Sequence, residues 1–237
     1  MDNTYKIAGD ILSGSSVPDC GFRSVDLYGS SVQEKNEGLL YSMFHLENES
    51  GVGNITVYQV FPGIEFIYND MHMEYCNKKQ DTRSGVIEIN YCREGRCECD
   101  FGKQSYCYMS AGDLSVCSLE RKPHTSVFPT SHYHGITVTI DFVGITEEMK
   151  RILCLFSVDI MRIFEFAEKQ DFCIARTNEA VRHIFSELYT VQEHIEQGYI
   201  KIKMIELLLM LTEMNFEIGK AEPVYYSKKQ RDCIRRI

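Results

Sequence analysis

Apolar and polar residues alternate through most of the chain as far as residue 142, and beyond it they recur every three to four positions. The densest alternation runs from Val86 to Val116. Val86–Arg93 is rich in β-branched and aromatic residues and stops at the turn pair Glu94-Gly95, and Arg96–Phe101 alternates charged with small apolar side chains. Gly102-Lys103 turns the chain, Ser105–Met109 returns it, and Ala111-Gly112-Asp113 leads into Leu114–Val116. Four short strands in succession predict an antiparallel meander within a small barrel. Upstream, Leu39–Leu46, Ile55–Phe61 and Ile64–Tyr68 read as strands, with a turn at Gly51–Asn54 and an extension over Met71–Tyr75. Residues 1–38 hold no sustained period and are expected to form an arm or irregular strands laid on the first sheet. After a polar gap at Ser118–Thr125, Ser131–Phe142 is the last strand. It places His132, His134, Ile136, Val138 and Ile140 on one face, and Tyr133, Thr137, Thr139 and Asp141 on the other.

The helical period starts at Thr146, an oxygen cap followed by the acidic first turn Glu147-Glu148, with Met149, Ile152, Leu153 and Phe156 as the buried stripe. A short segment over Asp159–Ala167 follows. Asn178 or Thr177 caps the next helix, whose apolar positions are Val181, Ile184, Phe185, Leu188 and Ile195. Gly198 is expected to separate it from a last helix, Lys201–Phe216. That helix is apolar nearly all round and must be covered on two sides. The preferred reading is that a second subunit covers it, with Met204, Ile205, Leu208, Leu209 and Leu211 as the homodimer interface. The other reading is a helix sandwiched within one subunit. Ser227-Lys228-Lys229-Gln230 has the capping-box pattern, so a further helix is expected from Lys228.

Composition narrows the classes. With 44% apolar and 25% charged residues, the chain is of ordinary globular type. No apolar run reaches the roughly 18 residues of a membrane helix, and the N-terminus lacks the layout of a signal peptide. The expectation is a cytoplasmic protein with no membrane partner, whose ten cysteines are thiols or metal ligands rather than disulfides. Cys92, Cys97, Cys99 and Cys107 match no paired zinc spacing, and Cys97 and Cys99 read as small hydrophobes on one strand face. The net charge is −9, but residues 220–237 carry Lys220, Lys228, Lys229, Arg231, Arg235 and Arg236 against Glu222 and Asp232, so the remainder stands at −13. An acidic body repels phosphates, and this stretch is not expected to bind DNA unaided.

His132-x-His134 is the most chemically suggestive pair, because alternation puts both imidazoles on one strand face. No phosphate-binding glycine loop is present, and no nucleophilic triad can be argued from spacing.

IEINYCREGRCEC (Ile87–Cys99), SAGDLSV (Ser110–Val116), FPTSHYHGITVTIDF (Phe128–Phe142), the KIKMIELLLML helix and YYSKKQ (Tyr225–Gln230) together resemble the N-terminal regulatory region of AraC-type transcriptional regulators. The similarity runs over roughly residues 60–237. It implies an α+β, mostly β, fold: a cupin-like antiparallel β-barrel followed by an antiparallel helical pair. The implied organisation is a barrel with its arm (1–144), a helical dimerisation subdomain (145–219), and a linker with the start of a helix (220–237) leading to a DNA-binding domain outside this sequence. The implied function is effector sensing and dimerisation, with DNA engaged only through that attached helix-turn-helix domain. No catalytic residue, metal or cofactor is expected. His72-x-Glu74 and His124 do not complete the cupin metal set at the family's spacing. A metal-dependent cupin enzyme using His132 and His134 is the alternative.

The resemblance places a small organic effector inside the barrel and implicates the strand Ser131–Phe142, hence His134 first and His132 second. On the strand Ile87–Arg93, the apolar set suits a face covered by helices, which leaves Glu88 and Asn90 for the interior and for the effector pocket.

Overall fold

The computed structural model describes residues 22–37, 41–79, 84–100, 106–121, 125–169, 173–191 and 196–213. The strands are β1 (Val32–Glu37), β2 (Ser42–Asn48), β3 (Gly51–Phe61), β4 (Ile64–His72), β5 (Tyr75–Asn77), β6 (Val86–Asp100), β7 (Tyr106–Ser110), β8 (Asp113–Ser118), β9 (Thr125–Val127), β10 (Tyr133–Asp141) and β11 (Cys173–Arg176). All described pairings are antiparallel, in the order β1-β2-β3-β4-β10-β6-β8-β11, with β7 and β9 joined to β6, and β5 to β9. The result is a nearly closed, cupin-like barrel.

β6 is what closes it. Its first half pairs with β10 and β8, and its second half with β7 and β9. The sequence pattern broke this strand at Glu94-Gly95, yet the chain continues through the pair in a bulge: His134 lies opposite Glu94 and Gly135 opposite Cys92, leaving Arg93 as the extra residue. Gly95 makes this possible. Its φ is +82°, and a Cβ there would lie 2.1 Å from the carbonyl oxygen of His132.

Four helices follow: α1 (Glu147–Leu155), α2 (Ile160–Lys169), α3 (Glu179–Leu188) and α4 (Glu196–Glu213). Thr146 caps α1, its hydroxyl accepting from the Met149 amide at 3.2 Å, and Asn178 caps α3 through the Val181 amide at 2.9 Å. Gly198 does not interrupt anything; it sits in the first turn of α4. Two short strands also lie where no period was visible. β9 is held by β5 and β6, and β11 by the edge of β8, so pairing rather than local preference makes them extended.

The barrel wall has two apolar faces. Tyr58, Phe66, Ile87, Ile89, Tyr91, Ile136, Val138 and Ile140 face outward and are covered by the helices. Phe44, Ile55, Ile67, Met71, Cys92, Cys97, Cys99, Met109, Cys117 and Tyr133 face inward. The eight cysteines among the described residues are free thiols, six of them buried. Phe185 of α3 stacks on Tyr91 with centroids 4.1 Å apart and planes within 2°, and burying a side chain of that size is worth roughly 1.5–3 kcal/mol. The Tyr58 hydroxyl donates to Glu196 Oε1 at 2.9 Å, and the Tyr68 hydroxyl donates to the Leu188 carbonyl.

α4 corrects the expected interface. Met204, Leu208 and Leu211 are fully buried inside this subunit, together with Leu207, because α4 packs on α3, α2 and the β3 region of the wall. The sandwiched reading holds for them. Ile205 and Leu209 are only partly covered, and Ile202 on the same side is 65% exposed. The helix expected from Lys228 and the linker 220–237 lie outside the described residues, as do most of the N-terminal arm and His124. No described helix is long and apolar enough to cross a membrane.

Candidate functional site

Alternation on neighbouring strands brings polar residues together inside the barrel. Thr137 of β10 lies opposite Asn90 of β6, which lies opposite Ser115 of β8. Asn69 Nδ2 donates to Thr137 Oγ1 at 2.9 Å, Thr137 Oγ1 donates to Asn90 Oδ1 at 2.8 Å, and Asn90 Nδ2 reaches Ser115 Oγ at 3.5 Å. Four adjacent strands are thus linked by one side-chain chain, in an interior of low dielectric where each such bond is strengthened and each unmade one is costly.

These four residues line a cavity of about 50 Å³, together with Met71, Cys76, Lys78, Cys97, Cys99, Met109, Phe128 and others. At about 10–15 Å³ of such volume per water, it has room for roughly three to five water-sized groups. Lys78 brings a positive charge to it. Its ammonium lies 3.6 Å from Glu88 Oε1 and 4.9 Å from the centre of the Tyr28 ring. Glu88 is completely buried and stands opposite Thr139, which in turn faces Glu65 on β4. Burial raises the Glu65 carboxyl, opposed by hydrogen bonds from Ser24. Burial likewise raises the Tyr133 hydroxyl well above its ordinary value. Cys97 Sγ lies 4.0 Å from Cys99 Sγ, and that contact together with burial pushes the Cys97 thiol up.

The residues expected to form one pocket fall into two sets. Glu88 and Asn90 face the interior, with Asn90 on the cavity and Glu88 one step along the strand. His132 and His134 do not join them. They share the outward face with Ile136, Val138 and Ile140, which the helices cover, so the whole thickness of the sheet separates the histidines from the cavity. Alternation places the two imidazoles on one strand face, but it does not determine which face turns inward.

On that outer face the histidines find a partner that spacing alone did not reveal. β4 runs beside β10 with Asp70 opposite His134 and Met71 opposite Tyr133, and the next residue on each side brings His72 beside His132, ring centroids 5.2 Å apart. The ligand atoms of His72, His132 and His134 lie within 4.8 Å of one another. Asp70 Oδ1 stands 2.6 Å from His134 Nε2 and 2.9 Å from His72 Nε2, and Glu94 Oε2 is 3.6 Å from His132 Nε2.

A broader groove of about 640 Å³ lies outside the barrel, between Phe142–Ile145 and the α1–α2 region. Its walls are apolar, with Met161 and Phe164 on one side and Val143 on the other, and with Lys150 and Asp159 at hand. Lys150 is engaged by Glu147 at 2.6 Å.

No protein-family model matches the chain, and no curated protein sequence matches it. Solved structures do. An apo ToxT variant from Vibrio cholerae strain SCE256 is 10% identical with a TM-score of 0.43, over 73% of this chain and 64% of that one. Wild-type ToxT from the same strain, with an unsaturated fatty acid bound, is 9% identical with a TM-score of 0.41, over 75% and 60%. KdgF from Halomonas sp. is 14% identical with a TM-score of 0.30, over 58% of this chain and 99% of that one. The chain spans between half and two thirds of these Vibrio cholerae proteins: 64% and 60% of the two ToxT structures, and 50% of an HTH_3 family transcriptional regulator.

Proposed function

We propose that the chain is the effector-sensing and dimerisation region of an AraC-type transcriptional regulator acting in the cytoplasm. Its barrel takes up a small polar organic effector, and its helices transmit the occupied state to a second copy and to an attached helix-turn-helix domain that binds DNA. One observation carries the sensing half of this reading: the chain Asn69–Thr137–Asn90–Ser115 borders a cavity whose remaining walls are mostly apolar, aromatic and sulfur side chains, with Lys78 the charged one. Convergent polar groups in a mostly apolar hollow are the usual make-up of a small-ligand site. Lys78 favours effectors with an acidic or strongly accepting group, and Met71 and Met109 supply side chains that re-pack around different shapes.

The dimer contact is assigned to the outer side of α4, through Ile202, Ile205 and Leu209. It is an isologous contact in which each copy offers the same stripe.

A thermal-shift screen of short organic acids, small amides, polyols and sugars tests the sensing role. A ligand that binds only the folded state adds about 2.7 kcal/mol at a hundredfold excess over its dissociation constant. A stabilising compound is expected for wild type and not for Asn90→Leu; no stabilising compound, or equal stabilisation of both, contradicts the reading.

A further inference from the structure

We propose that His72, His132 and His134 bind one divalent first-row transition-metal ion, of which Zn²⁺ fits best, on the outer face of the barrel wall. The site is separate from the interior cavity and stands whether or not that cavity holds an effector.

The backbone sets up the convergence. His72 ends β4, and His132 and His134 flank the first residue of β10, so two hydrogen-bonded strands hold all three. The carbonyl of His132 is seated against Gly95, where no side chain would fit. Ring centroids are 4.5 Å apart for His132 and His134, 5.2 Å for His72 and His132, and 5.6 Å for His72 and His134. Tetrahedral zinc with Zn–N bonds of about 2.0–2.1 Å needs ligand atoms roughly 3.4 Å apart. Side-chain rotations close the remaining gap without moving a strand, because the ligand atoms already lie within 4.8 Å.

The surroundings favour a cation. Asp70 lies between two of the imidazoles, and Glu94 offers one carboxylate oxygen to His132 while the other faces Arg93 at 3.3 Å. Asp70 Oδ1 and His134 Nε2 are shielded from solvent and 2.6 Å apart, yet they form no aligned hydrogen bond. Two polar atoms that converge without pairing well are what a shared metal would satisfy. With a metal bound, Asp70 becomes either the fourth ligand or the acceptor that orients a ligating imidazole. Three nitrogens and one oxygen select zinc and its neighbours over Ca²⁺ or Mg²⁺, which take oxygen shells.

The test is calorimetric titration of ZnCl₂ into chelator-treated, tag-free protein, paired with Co²⁺ absorption spectra. The expected result is one ion per chain, with visible Co²⁺ bands and no near-ultraviolet thiolate charge transfer. Affinity should fall roughly 100-fold or more in His134→Gln and His72→Ala, and about 10- to 100-fold in Asp70→Asn. All three positions are at least partly exposed, so the variants should keep the wild-type circular dichroism. The double variant Cys97→Ser, Cys99→Ser should bind as wild type does. No binding at millimolar Zn²⁺, binding that survives both histidine substitutions, or binding lost with the cysteines would each overturn the proposal.

Discussion

Thr137 donates its hydroxyl proton to Asn90 Oδ1 at 2.8 Å from the directly opposite position on the neighbouring strand, and both side chains face into the barrel. Thr137 Oγ1 in turn accepts from Asn69 Nδ2 at 2.9 Å, so one hydroxyl links three strands. Thr137→Val keeps the shape and removes the links, leaving Asn69 and Asn90 each short of a buried partner. Stability should fall by about 1–3 kcal/mol, read as a lower urea midpoint at unchanged m-value. A loss below a few tenths would mean that water replaces the hydroxyl without cost.

Gly95 should tolerate no side chain. Gly95→Ala places a methyl group where the carbonyl of His132 now sits, in a backbone conformation that side chains rarely adopt. A loss of more than about 1–3 kcal/mol is expected from the conformation alone. Gly198→Ala is the contrast: a Cβ there meets nothing within 4 Å, and the change should raise stability by about 0.4–1 kcal/mol.

The buried thiols make the fold sensitive to alkali. Burial raises Cys92 and Cys117 to about 12 from an ordinary value near 9.0. The folded state therefore keeps protons that the unfolded chain releases, so their stabilising contribution is complete below pH 9 and is lost as pH rises towards 12. Each thiol adds a slope of up to about 1.4 kcal/mol per pH unit in that window. Urea midpoints between pH 8 and about 10.5 should fall, less steeply in Cys117→Ala. An unchanged slope would contradict the assignment.

On α4, Leu208→Lys should unfold the subunit, because an unpaired charge replaces a fully buried side chain at a cost on the order of 4 kcal/mol or more. Ile202→Lys with Leu209→Lys should leave a folded monomer. Sedimentation of wild type as a monomer at micromolar concentration would refute the dimer contact.

Much of this architecture is written in local patterns. The period-2 runs locate the major strands, and Thr146 and Asn178 mark two helix starts that the caps then occupy. The interior orientation of Glu88 and Asn90 follows from asking which face of their strand suits a helical cover. The same question, asked of β10, assigns Ile136 and Val138 to the helices and therefore carries His132 and His134 outward with them. Strand order is what alternation lacks. β4 lies beside β10, with 60 residues between their ends, and only that pairing sets His72 and Asp70 against the histidines or Asn69 against Thr137. β9 and β11 are likewise extended because a neighbour pairs with them, a cause that no window of sequence contains.

The central claim is that the effector enters the barrel. Methyl spectra of methionine-labelled protein report it directly, because Met71 and Met109 line the interior cavity whereas Met161 lines the outer groove. A compound that stabilises the protein should shift the Met71 and Met109 methyl signals and leave Met161 unchanged; shifts confined to Met161, or none at all, would contradict the account.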